Sequence, residues 1–262
     1  MNKIEVNRFQ DFFTDHQYLS LKNYLYNYIL RKRAVNNCLK NEHPELILEI
    51  GSGISPLASD FNNVVYSDIS FDAIKSLKET QKSGYYVVAD GMRLPFMSNT
   101  YSHVICSEVL EHLKDDRLAI AEIYRTLKRP NGIVIITVPH RRRYFGYDDR
   151  YVNHYRRYEI SEIKERLQSA GLEPVLVHKL LGPLEKITMI PLVFLFSIIQ
   201  KHRSGSNSKS GTWNIRLMNL LAVIFKRMNL IYAGFVWLDA MIMPRCLSTV
   251  ILIKSTVSKK KI

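Results

Sequence analysis

The chain has 262 residues, of which 47% are hydrophobic, and a net charge of +13. A chain of this length can bury a stable core without disulfides or structural metal ions. The three cysteines are widely spaced and form no CxxC motif or Cys/His cluster, which predicts a reducing cytoplasmic setting and no metal site. Eleven basic residues and one acid fall within residues 201–262, which indicates an anionic partner, either nucleic acid or a membrane surface. The residues between these charges favour a membrane surface and make nucleic acid unlikely.

Residues 9–40 carry aromatic and apolar side chains at mostly helical spacing, so one or two helices are predicted there. Two places fit such helices: beside a ligand site, or along the edge of a sheet. The first residues lack the basic segment and apolar core of a signal peptide, which favours a cytoplasmic protein.

A glycine-containing turn follows the first apolar strand, at Leu48-Glu49-Ile50-Gly51-Ser52-Gly53. Glycine is needed where a strand turns sharply into a helix and its backbone approaches a ligand closely. The second and third strands lead to Asp68 and Asp90, whose carboxylates would point into the crevice where such sheets bind nucleosides. Pro56 holds the place of a third glycine, which disfavours NAD and FAD.

Strand-like and helical patterns alternate along the rest of the chain, which predicts an α/β fold with a doubly wound sheet. The sixth and last strands are too far apart for a hairpin, so the residues between them are predicted to form a helical insertion. The predicted strands are 46–50, 63–68, 85–89, 102–107, 132–138, 172–178 and 247–253.

Further motifs continue the series in register, at residues 90–96, 101–113, 122–127, 131–132 and 137–139. With the glycine turn, they make residues 46–180 resemble the class I SAM-dependent methyltransferases, in particular the type-11 group that includes the ubiquinone-biosynthesis-like enzymes. The resemblance implies a Rossmann-like, mostly parallel seven-stranded sheet with an antiparallel last strand. It also implies S-adenosyl-L-methionine (SAM) as cofactor and S-adenosyl-L-homocysteine (SAH) as product.

We divide the chain accordingly into five units. They are N-terminal helices (1–44), a SAM-binding Rossmann-like core (45–180), a helical insertion or cap (181–246), a last core strand (247–257) and a basic tail (258–262).

The resemblance also implies roles for single residues. Glu49 would meet the ammonium of SAM, Asp68 would accept the ribose hydroxyls, and Asp90 would accept the exocyclic amine of adenine. The implied cofactor-binding residues are Glu49, Gly51, Gly53, Asp68, Ile69, Asp90, Gly91, Met92, Ser107 and Glu108.

Methyl transfer is an in-line displacement that needs alignment more than acid–base help, so a general base is optional. His112 and His154 are the candidates, and support of the cofactor pocket is the alternative role for His112. An arginine- and tyrosine-rich segment follows the fifth strand and is either a solvated basic loop or a site that recognises phosphate or carboxylate. The candidate substrate residues in it are Arg143, Tyr155, Arg156 and Arg157.

The predicted insertion contains apolar segments at 187–199, 213–227 and 230–243, with a Ser-, Gly- and Lys-rich loop at 201–212. The first is too short to span a bilayer, which takes about 20 apolar residues. Apolar faces flanked by cations and tryptophans are typical of helices in the headgroup region, so peripheral membrane contact is predicted, with packing as a substrate cap as the alternative.

Three functions follow as hypotheses. The leading one is a SAM-dependent methyltransferase for a small-molecule or lipid-linked acceptor at the cytoplasmic membrane face. A nucleic-acid methyltransferase is second, because no Asn/Asp-Pro-Pro-Tyr type motif follows the fourth strand. A non-catalytic SAM-binding module is third; Ser55 stands where many relatives have a further glycine. The sequence does not indicate the oligomeric state.

Overall fold

The computed structural model describes residues 23–81, 83–189 and 215–258. Its strands are β1 (Ile47–Ile50), β2 (Val64–Asp68), β3 (Tyr85–Val88), β4 (His103–Ser107), β5 (Ile133–Pro139), β6 (Leu172–Leu181) and β7 (Val250–Val257). They form one sheet in the order β3-β2-β1-β4-β5-β7-β6. Strands β1 to β5 are parallel, and β7 is antiparallel to both of its neighbours. The predicted Rossmann-like fold class is therefore confirmed.

Helices cover both faces of this sheet. They are α1 (Tyr26–Leu39), α2 (Phe71–Thr80), α3 (Asp116–Thr126), α4 (Tyr147–Tyr151), α5 (Ile160–Ser169) and α6 (Ile215–Ile242). Side chains of α3 and α5 pack into the core on one face, and side chains of α1, α2 and α6 pack into the core on the other. Strands β1 and β5 are buried at every position, which explains why they are continuous apolar runs in the sequence.

The last strand lies further along the chain than the apolar run at 247–253 predicts. Residues Arg245–Leu247 form a 3-10 turn, and the polar run Lys254-Ser255-Thr256 belongs to the strand. Because β7 lies between β5 and β6 and pairs with both, its backbone groups are satisfied whichever side chains it carries. The same pairing extends β6 to Leu181, beyond the predicted end at residue 178.

The two segments predicted at 213–227 and 230–243 form one continuous helix from residue 215, α6, whose residues Ala233, Val236 and Ala240 are buried. Residues 183–189 are helical. The rest of the first apolar segment, the loop at 201–212 and the N-terminal residues before 23 lie outside the described residues.

No helix in the described part of the chain combines the length and hydropathy needed to cross a membrane. The division into five units stays a prediction.

Candidate active site

A cavity of about 380 Å³ lies where strands β1, β2 and β4 end, the edge at which open α/β sheets bind their ligands. It brings together all but one of the residues predicted to bind the cofactor. Met92 is the exception, and its backbone N–H donates to the Asp90 carboxylate at 2.9 Å. The predicted residues that line the cavity are Glu49, Gly51, Gly53, Asp68, Ile69, Asp90, Gly91, Ser107 and Glu108.

The glycine turn after β1 is tied to the end of β2. Gly51 has a φ of +68°, and a Cβ there would lie 2.2 Å from Cγ2 of Val109, so a side chain would disrupt the turn. The backbone N–H of Gly53 donates to Oδ2 of Asp68 at 2.9 Å, and the N–H of Ser70 donates to Oδ1 at 2.9 Å. Asp68 therefore holds the turn in place and also presents its carboxylate to the cavity.

Glu49 supports the segment that follows this turn. Its buried carboxylate accepts hydrogen bonds from the backbone N–H groups of Leu57 and Ala58 at 2.7 and 3.0 Å. Burial raises its pKa to about 7. Since both oxygens already hold the chain, contact with the ammonium of SAM would be an additional interaction, and that role stays a prediction.

The end of β4 is joined to β5 and to α1. Glu108 has a φ of +54°, a conformation uncommon outside glycine, and its carboxylate accepts the hydroxyl of Thr137 at 2.9 Å. The hydroxyls of Ser107 and Thr137 are 2.7 Å apart, and Nη1 of Arg31 donates to the Ser107 hydroxyl at 3.4 Å. Helix α1 thus both packs on the sheet and lies beside the cavity.

A buried charged cluster lies on the other side of the cavity. Asp149 accepts Nε of Arg157 at 2.8 and 2.9 Å and Nζ of Lys186 at 3.0 Å, and it lies 2.9 Å from Nδ1 of His154. Although burial opposes ionisation, the hydrogen bonds from His154 and Arg157 hold the pKa of Asp149 below its usual range. Lys186 also contacts Asp148. No pattern in the sequence indicated Lys186 as a member of this cluster.

The two candidate histidines are neighbours. The ring centroids of His112 and His154 are 4.6 Å apart with an interplanar angle of 73°. Burial, and then the nearby His154, lowers the pKa of His112 to about 3, which makes His112 a weak base at neutral pH and weighs against its candidate role as general base. Burial, and then the Glu108 carboxylate, raises the pKa of the adjacent Glu111 well above its usual range.

The candidate substrate residues do not converge on the cavity. Arg143 is exposed and donates to a backbone carbonyl at 2.8 Å, and Tyr155 is 48% exposed. Arg156 donates to another backbone carbonyl at 2.7 Å and pairs with a buried aspartate at 3.2 Å. Arg157 lines the cavity, but Asp149 holds its guanidinium. These intramolecular partners account for the arginines, so their placement does not support recognition of an acceptor phosphate.

Several cavity residues carry no sequence signal of their own. They come from α1, from the segment after β6 and from the start of β7, and the fold alone brings them together. Burial raises the pKa of one of them, Glu185, to about 6. These additional lining residues include Asn27, Tyr28, Arg31, Glu185, Met189 and Val250.

Comparison with known proteins finds methyltransferases among the relatives of this chain. Residues 48–136 match the family model described as "Methyltransferase domain". A demethylmenaquinone methyltransferase of Streptomyces griseus is 32% identical over 111 residues, which cover 41% of this chain and 48% of that protein. A ubiquinone biosynthesis O-methyltransferase of Rickettsia canadensis is 28% identical over 153 residues, which cover 48% of this chain and 62% of that protein. The chain thus spans about half the length of these relatives.

The fold has close counterparts among solved structures. A SAM-dependent methyltransferase of Thermotoga maritima superposes with a TM-score of 0.59 at 16% identity, covering 96% of this chain and 99% of that one. At that identity the likeness concerns the fold alone. Together with the match over residues 48–136 and the two curated relatives, it confirms the resemblance found in the sequence: residues 48–136 match a methyltransferase domain and are similar to the type-11 group of the class I SAM-dependent methyltransferases.

Proposed function

We propose that this protein transfers a methyl group from SAM to a small, lipid-linked acceptor at a membrane surface. One observation carries the proposal: all the residues implied to bind SAM except Met92 line a single cavity at the ligand-binding edge of the sheet.

The groups at this cavity fit SAM. Asp68 and Asp90 offer carboxylate acceptors for ribose hydroxyls and an adenine amine, and Glu108 adds a further carboxylate to the lining of the cavity. Bound SAM supplies a methyl group on a positively charged sulfur. The chain's own part is to hold SAM and the acceptor in line and to exclude water.

The relatives suggest the class of acceptor. Their names refer to demethylmenaquinone and to ubiquinone biosynthesis, and quinones of these kinds combine a small ring with an apolar tail. A lipid-linked acceptor would be reached most readily by an enzyme that rests on the membrane.

Helix α6 has a surface suited to such contact. Apolar side chains that are 44% to 67% exposed recur every three or four residues along it, at Ile224, Met228, Ile231, Phe235, Leu238 and Ile242. Lys226 and Arg227 lie on the same helix and Arg245 follows it. An apolar stripe with adjacent cations favours an anionic bilayer surface over a second copy of this basic chain.

The catalytic proposal is tested by incubating purified protein with methyl-labelled SAM and either a membrane lipid extract or RNA. We expect label in the lipid fraction with the unmodified protein and none with Asp68→Ala. Label in RNA alone would favour a nucleic-acid methyltransferase. Binding of SAM without transfer to any extract would favour a non-catalytic module.

The membrane proposal is tested by replacing Ile231 and Phe235 with Asp. Burying such a side chain contributes about 1.5–3 kcal/mol, so the double variant should bind vesicles of phosphatidylcholine and phosphatidylglycerol at least tenfold more weakly in co-sedimentation. Met97→Asp, at a side chain 77% exposed outside α6, is the matched control. Unchanged vesicle binding would contradict the proposal, as would a dimer that dissociates in the double variant.

A further inference from the structure

Three metal-ligating side chains meet at the wall of the cavity. Glu111, His112 and His154 each offer one ligand atom, and these atoms all lie within 4.8 Å of one another. Among residues 23–81, 83–189 and 215–258, no other group of three potential metal ligands lies this close together. Glu111 and His112 belong to a 3-10 turn after β4, while His154 follows α4. The imidazoles of His112 and His154 both line the cavity.

Glu111 gives this group a ligand with no other evident task. Its side chain is completely buried, and neither carboxylate oxygen has a hydrogen-bond partner within the described chain. The nearest opposing group is Nε2 of His154, 3.8 Å from Oε1. A carboxylate in such a place stays protonated unless a cation or donors compensate its charge, so a bound cation would give Glu111 the partner that its oxygens lack.

His154 is oriented for coordination. Asp149, held by Arg157 and Lys186, lies 2.9 Å from Nδ1 of the ring, which favours a proton on Nδ1 and a lone pair on Nε2. A carboxylate behind a ligating histidine is the arrangement that commonly fixes the tautomer and the ring direction in metal sites.

We propose that Glu111, His112 and His154 bind one divalent transition-metal ion, with Asp149 as a positioning residue. Two imidazoles and one carboxylate suit zinc or iron(II) better than Mg²⁺, which prefers an all-oxygen shell. Ligands at about 2.1 Å from one ion lie at most about 4.2 Å apart, and Nε2 of His154 and Oε1 of Glu111 are already 3.8 Å apart.

The site also narrows the acceptor class, an extension that rests on the proposed function. A metal ion beside the cavity would bind an acceptor hydroxyl and lower the pKa of that hydroxyl. The hydroxyl gives its proton to bulk water as the acceptor binds, and its oxygen then forms a bond to the methyl carbon. The carbon–sulfur bond breaks with its electron pair going to sulfur, which leaves as neutral SAH. The geometry therefore points to O-methylation of a phenol or alcohol.

Metal binding is measured without SAM, on untagged protein stripped with EDTA and titrated with Co²⁺ by visible absorption. We expect one Co²⁺ per chain. Loss of a ligand should cost at least the roughly 10–100-fold that outer-shell changes cost, so His154→Ala and His112→Ala should weaken binding at least tenfold. His178→Ala, an exposed histidine on β6, should leave it unchanged.

Glu111→Gln keeps the size of the side chain and is the variant that should fold best. Its loss of Co²⁺ affinity, with an unchanged thermal unfolding curve, would support coordination by the carboxylate. No Co²⁺ absorption in the unmodified protein, or Co²⁺ affinities of Glu111→Gln and His154→Ala equal to that of the unmodified protein, would overturn the inference. Binding of labelled SAH is measured on the same stripped protein. SAH binding without Co²⁺ binding would contradict only the metal site, whereas Co²⁺ binding without SAH binding would contradict the proposed function.

Discussion

Replacing Asp149 by alanine is expected to destabilise the protein by about 3–5 kcal/mol, the loss typical of breaking a buried ion pair from one side. Arg157 and Lys186 are buried, and both direct their charge to this carboxylate at 2.8 and 3.0 Å. The backbone N–H of Gly146, which precedes α4, also donates to it at 2.9 Å. Removing Asp149 leaves the buried Arg157 and Lys186 with Asp148 as their remaining carboxylate partner, and it leaves the Gly146 N–H without its acceptor.

Urea unfolding followed by circular dichroism measures this effect. Asp60→Ala is the matched control, because it removes the ion pair between Asp60 and Lys32 at 2.8 Å, and the Asp60 side chain is 56% exposed. Exposed pairs of this kind contribute about 0–1 kcal/mol. A loss below about 1 kcal/mol in Asp149→Ala would show that Arg157 and Lys186 are compensated by water, contrary to their burial.

Asp68→Ala is expected to weaken SAM binding at least 100-fold. Hydrogen bonds to charged groups contribute about 1.5–3 kcal/mol each, and two lost ribose contacts correspond to about two powers of ten or more in affinity. The same carboxylate also anchors Gly53 and Ser70, so the glycine turn would lose an attachment. Asp68→Asn, which keeps one acceptor oxygen, should fall between alanine and the unmodified protein.

Equilibrium dialysis with labelled SAM measures the affinities. Asp72→Ala changes an exposed acid in the first turn of α2, four positions along the chain, and should bind SAM normally. SAM affinity in Asp68→Ala equal to that of the unmodified protein would show that the ribose lies elsewhere.

The fold could be predicted because its signals are local. Buried parallel strands are continuous apolar runs, and an acid or glycine marks the end of β1, β2 and β4. The last strand was predicted too early because Lys254-Ser255-Thr256 does not look like a strand interior; pairing with both neighbours, a tertiary feature, keeps it in the sheet.

The candidate site was only partly predictable for the same reason. Most of the residues that the resemblance implies for the cofactor follow strand ends, where open α/β sheets bind their ligands, so they could be named from the sequence. The Asp149 cluster joins residues up to 37 positions apart, and no short pattern links Lys186 to Asp149. The arginines of the tyrosine-rich segment looked like ligands for an anion because their own partners, such as Asp116 and Glu159, lie in other elements.

Calorimetric titration of the unmodified protein with SAH, and separately with NAD, tests the central claim most directly. The cavity at the ends of β1, β2 and β4 should bind one SAH per chain with micromolar affinity and should not bind NAD, since Pro56 stands where a pyrophosphate site requires glycine. Binding of NAD, or of neither ligand, would contradict the account.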